Sequence, residues 1–316
     1  MASTALAIIC LMIFCPVIMI GQAFPGISPV EMTVSFMPQV LLVSAIAVAG
    51  LLFHNLRAAL LGGAIVLITA TPFLFHSKHQ ASTSATCGPD ECLTVITANI
   101  YGRPQSMQQL GTLAAREGAD LVAINEAVSR IDDSDYAAAF PQYDEVIHVA
   151  WENMPPHMGN PISLLSRQPV ETHERVLRED TGRRAFIVAR LGGTWQGIQV
   201  VVAHALTPMT QRQLNARNTL LREVDAKIDR SGDFILMGDL NTTPWSPTFR
   251  SLPGKRAGDP RRSNTWPTWG WSPLIGLSID HILFDGELEL VEFKVLESVG
   301  SDHYPILARF RRPAAN

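Results

Sequence analysis

Apolar positions follow two different patterns along this chain, and the change between them divides it. Up to about residue 76 they form three long runs, 5–20, 34–53 and 58–75, with only His54-Asn55-Leu56-Arg57 between the last two. Beyond residue 93 the runs are short and separated by Gly, Pro, Asn and Asp, as in a globular domain of strands, helices and turns. Strands are predicted over 93–100, 120–124, 162–167, 185–191, 199–203, 233–236, 278–284, 288–296 and 306–310, and helices over 106–117 and 208–228. The first two strands flank a single helix. Such a crossover is right-handed and makes its strands parallel neighbours.

The N-terminal runs have the length and composition of membrane-spanning helices. The expected organisation is an anchor over 1–76 with three spans, a tether over 77–92 and a catalytic domain over 93–312. The first run could instead be a signal peptide cleaved near Gly21-Gln22-Ala23, although no Lys or Arg precedes it. Cys87 and Cys92 flank a Gly-Pro turn in the tether and could close a small disulfide loop. That loop would place the domain in an oxidising, extracytoplasmic compartment. Charge sharpens the division, because Glu31 and Arg57 are the only acid and base before residue 77. The net charge of −4 therefore belongs to the globular part, which argues against a basic nucleic-acid-binding face without excluding one.

Polar residues collect where the predicted strands end. Asn99 and Glu126 follow the first two strands, His204 follows 199–203, and Asp239 and Asn241 follow 233–236. Asp280 lies inside an apolar run, where a carboxylate needs a partner, and Asp302-His303 precedes the last strand. Strand alternation puts Asp239 and Asn241 on one side, and puts His281 on the face opposite Asp280. An acid and an amide so spaced suit a hard cation, or a phosphate with its attacking water.

These residues occur in the order seen in the endonuclease/exonuclease/phosphatase superfamily, which the chain resembles over about 93–312 through Asn125-Glu126, Gly238-Asp239-Leu240-Asn241 and Ser301-Asp302-His303. With its apolar N-terminus it looks most like the membrane-anchored bacterial branch that includes the teicoplanin-resistance VanJ type. The resemblance implies a four-layer α/β sandwich, two mixed β-sheets face to face with helices outside. It also implies a phosphoester hydrolase using Mg²⁺, or Mn²⁺ in its place. On the matching positions, Glu126, Asn99 and Asp302 would hold the metal, and Asp239 would deprotonate water. Asn241 and His303 would contact phosphate, with Asp280 orienting His303. His204 would be a phosphate ligand or leaving-group acid.

Three functions remain open at this level. The first is an anchored extracytoplasmic phosphoesterase acting on a phosphate ester or pyrophosphate, lipid-linked or envelope-derived, with the bilayer as partner. The second is an anchored nuclease. The third is an inactive sensor on the same scaffold. Arg183-Arg184 could face a phosphate or solvent. The aromatic stretch Trp266–Trp271 could stack on substrate, enter the membrane interface or simply pack.

Overall fold

The computed structural model describes residues 9–75, 79–80, 88, 91–128, 133–149, 161–177, 179–181, 184–269 and 275–313. Helices α1 (Cys15–Ala23, continuing a π-helical turn at Cys10–Phe14), α2 (Ser28–Ser35), α3 (Met37–Leu52) and α4 (Leu56–Leu74) come first. The catalytic region follows the short β1 (His79–Gln80). Its first part is β2 (Leu93–Asn99), α5 (Pro104–Glu117), β3 (Leu121–Asn125), α6 (Asp133–Ala139), β4 (Glu145–Val149), β5 (Ile162–Ser166), β6 (Val170–Leu177), β7 (Ala185–Leu191) and β8 (Gln199–Ala203). Then come α7 (Gln211–Lys227), β9 (Phe234–Asp239), α8 (Pro247–Ser251), β10 (Lys255–Ala257), β11 (Asp280–Asp285), β12 (Glu289–Val295) and β13 (Ile306–Arg311).

The strands form two sheets. One has the order β1-β10-β11-β9-β8-β7-β6, the other β12-β13-β2-β3-β5-β4. Both are mixed. β2 pairs with β3 in parallel, as the crossover around α5 requires, and β8 pairs with β9 in parallel around α7, while most remaining neighbours are antiparallel. Val95, Ala123, Ile187, Val202, Met237 and Ile282 meet between the inner faces of the two sheets. α5 and α6 cover the outside of one sheet through Leu110, Leu113 and Phe140, and α7 and α8 cover the other through Leu220, Val224 and Phe249. The expected four-layer sandwich is therefore present.

The N-terminal part departs from the expected three spans. α4 is the one described helix long and apolar enough by itself to cross a membrane, at 19 residues. Asn55 starts it, its side chain accepting from the Ala58 N–H at 3.1 Å. The run 34–53 breaks at Phe36, because Pro38 in the first turn of α3 favours a new helix start over a helix interior. That leaves α3 with 16 residues, short of the ~20 that cross a bilayer. The first run reaches Ala23 and then turns through 109° into α2.

These helices dock on the sandwich. Trp245 packs on Phe73, ring centroids 4.8 Å apart, within a cluster that includes Ile18, Val34, Met37 and Ala70. Glu31 of α2 forms a fully buried ion pair with Arg217 of α7 at 2.9 Å, and Ser246 Oγ donates to the same carboxylate oxygen. The tether lies largely outside the described residues. Cys92 is disulfide-bonded, while Cys87 lies outside them.

Candidate active site

Two crossover units, one in each sheet, bring four strand ends together. β2 and β3 finish at Asn99 and Asn125, and β8 and β9 finish at Ala203 and Asp239. Asn125 ties the sheets, its Oδ1 accepting from the Asp239 N–H at 2.8 Å and its Nδ2 donating to the Ala203 carbonyl at 3.3 Å. Gly238 permits this approach. At φ +141° a Cβ there would lie 2.0 Å from the Ala203 oxygen, so no other residue fits without moving the strands.

Asp239 is the centre of the cluster and is 1% exposed. Asn99 Nδ2 donates to one of its oxygens at 3.1 Å and the Asn241 N–H to the other at 3.0 Å. Its partner across the antiparallel ladder is Asp280, so two carboxylates stand opposed on neighbouring buried strands. Burial first, then the charge of Asp280, push the Asp239 pKa up to about 7, against the pull of His303 and the two donors. Asp280 Oδ2 takes a 2.8 Å hydrogen bond from His303 Nδ1, while its Oδ1 is buried with no hydrogen-bond partner. Burial opposes a proton on His303. Asp280, by charge and hydrogen bond, then Asp239 and Asp302, outweigh that burial and raise its pKa to about 10. His303 Nε2 is 3.9 Å from Asp239 Oδ2.

His204 behaves in the opposite way. It is wholly buried, and Arg184, which can only donate, lies 3.3 Å from its Nδ1. Nδ1 therefore accepts and Nε2 carries the proton, aimed at Asp239 at 3.6 Å and Glu126 at 3.7 Å. Burial first, then Arg184 and His303, hold the His204 pKa well below its ordinary value. An imidazole kept neutral in this way has its Nε2–H turned toward both carboxylates.

A cavity of about 270 Å³ opens over the cluster, with Glu126, Asp239, Asn241, Asp302 and His303 along its polar side. Asn99 and His204 stand behind these groups and do not line it. Asn99 Oδ1 already accepts from the Tyr101 N–H at 3.1 Å. Asp302 accepts from the Trp266 indole at 3.1 Å, so one member of the aromatic stretch belongs to the site. Trp269 is exposed, and Trp271 lies outside the described residues. Asn241 reaches the cavity by a route other than strand alternation. Its φ is +46°, β9 has already ended, and its Nδ2 donates to the Ala205 carbonyl at 2.9 Å. A larger cavity of about 570 Å³ between α7 and α8, lined by Asn215, Arg222 and Asp225, contains none of the strand-end groups.

The sequence names Arg184, Asn125 and Trp266 but not the contacts they make: Asn125 ties the two sheets, Trp266 donates to Asp302, and Arg184 lies behind His204. The solvated reading of Arg184 fails, because it is 7% exposed. The available signal was its place one residue before an apolar strand. Arg183 lies outside the described residues. His281 is structural as expected, 0% exposed and held by Arg256 Nε at 2.9 Å and the Thr242 carbonyl at 2.8 Å.

Two face-to-face mixed sheets with carboxylates, amides and histidines gathered where strands of both sheets end define a phosphoester-hydrolase scaffold. The chain belongs to the Endonuclease/Exonuclease/phosphatase family, whose model matches residues 96–303. Members of this family are hydrolases acting on phosphoester bonds. Its fold is shared with an endonuclease/exonuclease/phosphatase from Beutenbergia cavernae, 20% identical over 71% of this chain and 73% of that one, with a TM-score of 0.57. It is shared too with the human Nocturnin catalytic domain with bound sulfate, 14% identical over 72% of this chain and 97% of that one, TM-score 0.56. D. rerio TDP2 complexed with single-strand DNA product is 16% identical over 70% and 100% of the two chains, TM-score 0.54. No curated protein matches the chain in sequence.

Proposed function

We propose that this protein is a membrane-anchored, Mg²⁺-dependent phosphoesterase whose catalytic domain faces away from the cytoplasm, in keeping with the VanJ-like branch. Its substrate is a phosphate ester or pyrophosphate carried by a lipid or another envelope component. The observation that carries this reading is the cavity itself. Its polar side holds Asp239, Glu126, Asp302 and His303, and its other side includes Met32 and Phe36 at the edge of the apolar N-terminal helices. The outward surface of those helices supports anchoring, since Leu60, Leu61, Leu67 and Ile68 are all more than half exposed. A disulfide-bonded Cys92 supports an oxidising compartment.

The residues present suit a divalent cation. Glu126, Asp239 and Asp302 line the cavity with no Lys or Arg among its described lining residues, and Asp280 Oδ1 is buried without a partner. Asp239, Asp280 and His303 bring ligand atoms within 4.8 Å of one another and so resemble a metal cage. A His303 kept protonated by Asp280 is a donor rather than a ligand. The cation therefore belongs on the Glu126 side, with Asp302 also on the cavity wall; Asn99, the third expected ligand, stands behind them with Nδ2 on Asp239 and Oδ1 accepting from the Tyr101 N–H. When bound, it would neutralise charge building up on the phosphate oxygens.

The chain's own groups do the rest. Asp239, with its raised pKa, takes the proton of a water whose oxygen bonds to phosphorus as the phosphorus–oxygen bond to the leaving group breaks. The departing oxygen takes a proton from cavity water, and the hydroxide so formed takes up the proton from Asp239, so the phosphate leaves with an alcohol or, from a pyrophosphate, with a second phosphate. His303 offers its Nε2–H to a phosphate oxygen, and Asp280 fixes its ring. Asn241 is placed to hold another phosphate oxygen. His204 stands behind Asp239 and Glu126 with its Nε2–H turned toward both. The nuclease reading uses the same groups, but a polyanion needs a run of cations along its path, and the described lining residues include no Lys or Arg.

The test is a substrate panel with the full chain in lipid nanodiscs with Mg²⁺, comparing a polyprenyl pyrophosphate, phospholipids and plasmid DNA. Phosphate release from a lipid substrate, lost in Asp239→Ala and on chelation, is expected. DNA cleavage without lipid turnover would overturn the substrate, and activity retained by Asp239→Ala would overturn the mechanism.

A further inference from the structure

The cavity over the catalytic cluster has two unlike halves. Besides the carboxylates, its lining includes Met32 and Phe36 from the N-terminal helices and Met209, Trp266, Leu277 and Ile279 from the sandwich. Hydrolysis of a phosphate ester requires the first half only. The second half adds apolar surface beside the phosphate position, where a soluble, fully hydrated substrate would gain nothing from it.

The apolar half is a built feature. α2, which carries Met32, is fixed to the catalytic domain by the Glu31–Arg217 pair, both side chains 0% exposed. Arg217 also donates to the Asn241 carbonyl at 3.2 Å, so the fastening of α2 continues into the backbone of a residue on the polar side. At the start of α2, the Ser28 N–H donates to Gln211 at 3.1 Å and Ser28 Oγ to the Pro208 carbonyl at 3.0 Å, and Pro208 itself lines the cavity. At the far end, Gln39 donates to the Gly276 carbonyl at 3.1 Å, beside Leu277. Both sides of the apolar half are therefore pinned to each other by hydrogen bonds.

We propose that α2 is the substrate-selecting element of this enzyme: Met32 and Phe36 receive the first carbons of a single hydrocarbon chain esterified to the phosphate. This rests on the reading of the site as a lipid-phosphate hydrolase. The volume sets how much of the chain is held. About 270 Å³ lies just under the ~300–1,000 Å³ of small-molecule pockets, and phosphate with its cation takes the polar part. Only the beginning of the chain fits. The rest passes Met209 and Tyr101, both more than half exposed, toward the apolar surface of the anchor. Selection then acts on what is attached next to the phosphate, and the bilayer holds the remainder.

The experiment uses the full chain in nanodiscs with Mg²⁺ and two substrates with the same head, ethyl phosphate and dodecyl phosphate. Farnesyl phosphate and phosphatidic acid are further arms that separate a prenyl from a diacyl source. The wild type is expected to prefer the dodecyl ester. In Met32→Ala/Phe36→Ala, kcat/KM for the dodecyl ester should fall about tenfold or more, mainly through KM, because methylene contacts in an apolar pocket are worth that much. Ethyl phosphate, which offers only two of those carbons, should lose several-fold less than the dodecyl ester on the same reasoning. Met32→Leu/Phe36→Leu, which keeps apolar bulk, should restore most of the preference. Equal losses on both esters would make α2 a structural brace and overturn the proposal while leaving the hydrolase reading intact. A wild type with no chain preference would also overturn it. A wild type inert on every phosphate ester but active on DNA would overturn the underlying reading instead.

Discussion

Two buried charge clusters lie close together in this molecule, and they are balanced differently. Where the N-terminal helices dock, one carboxylate, Glu31, meets one guanidinium, Arg217; Ser246 donates to Glu31, and Arg217 donates also to Asn218 Oδ1 and the Asn241 carbonyl. In the strand-end cluster of the candidate site, Asp239, Asp280, Asp302 and Glu126 share the single raised imidazole of His303 and the more distant Arg184. The first cluster matches one charge with one and holds two elements together, although Glu31 Oε2 is buried without a hydrogen-bond partner. The second has more carboxylates than cations; on top of burial, the largest cause, the charge of Asp280 raises the Asp239 pKa, and the excess leaves room for added positive charge. The balance of charge, more than burial, separates a rivet from a reaction centre.

The contrast can be broken experimentally from its strong end to its weak one. Asp239→Asn keeps the shape but removes the base, and kcat should fall by about 10³-fold or more in a phosphate-release assay, with the unfolding midpoint little changed. Arg217→Met should do the reverse. It strands Glu31 in an apolar setting and costs about 3–5 kcal/mol in denaturant unfolding followed by Trp fluorescence, and Glu31→Leu added to it should recover most of that loss. If Arg217→Met is no less stable than wild type, the pair is not a rivet. The smallest effect is spectroscopic. In metal-free protein, ¹⁵N NMR should show the His303 ring still doubly protonated at pH 8, since its pKa is raised toward about 10, and His204 singly protonated at Nε2 below pH 6. Matching titrations of the two rings would remove the distinction between them.

Much of the sandwich was legible because its inner strands carry their burial in their composition. Ala185–Leu191 and Gln199–Ala203 were bounded to the residue by apolar runs. β6 was not, because it is an edge strand with Glu171, Thr172, His173, Glu174 and Arg175 all exposed, and its pairing with β7 leaves no mark in its own sequence. The three-residue β10 is too short to show a period. The strand-end groups could be listed from the sequence and their meeting inferred, since parallel crossovers make strand ends neighbours. Their protonation could not, because it depends on Asp280 lying opposite Asp239 across the ladder and on Arg184 lying behind His204. The anchor showed the complementary failure. Hydropathy identified apolar runs, but the break at Phe36 and the docking of α2 depend on Pro38 and on the distant Arg217.

Trp245 and Ser246 give this docking a consequence for how such proteins could be recombined. Both lie within a few residues of Asp239 and Asn241, in the same loop after β9, and both are spent on gripping the N-terminal helices. One short stretch therefore writes the chemistry and the attachment together. The two halves are not interchangeable parts. Grafting this catalytic region onto a foreign anchor would require rewriting the loop beside its base, and a version cut free of its helices would present a bare indole to solvent next to its own active site.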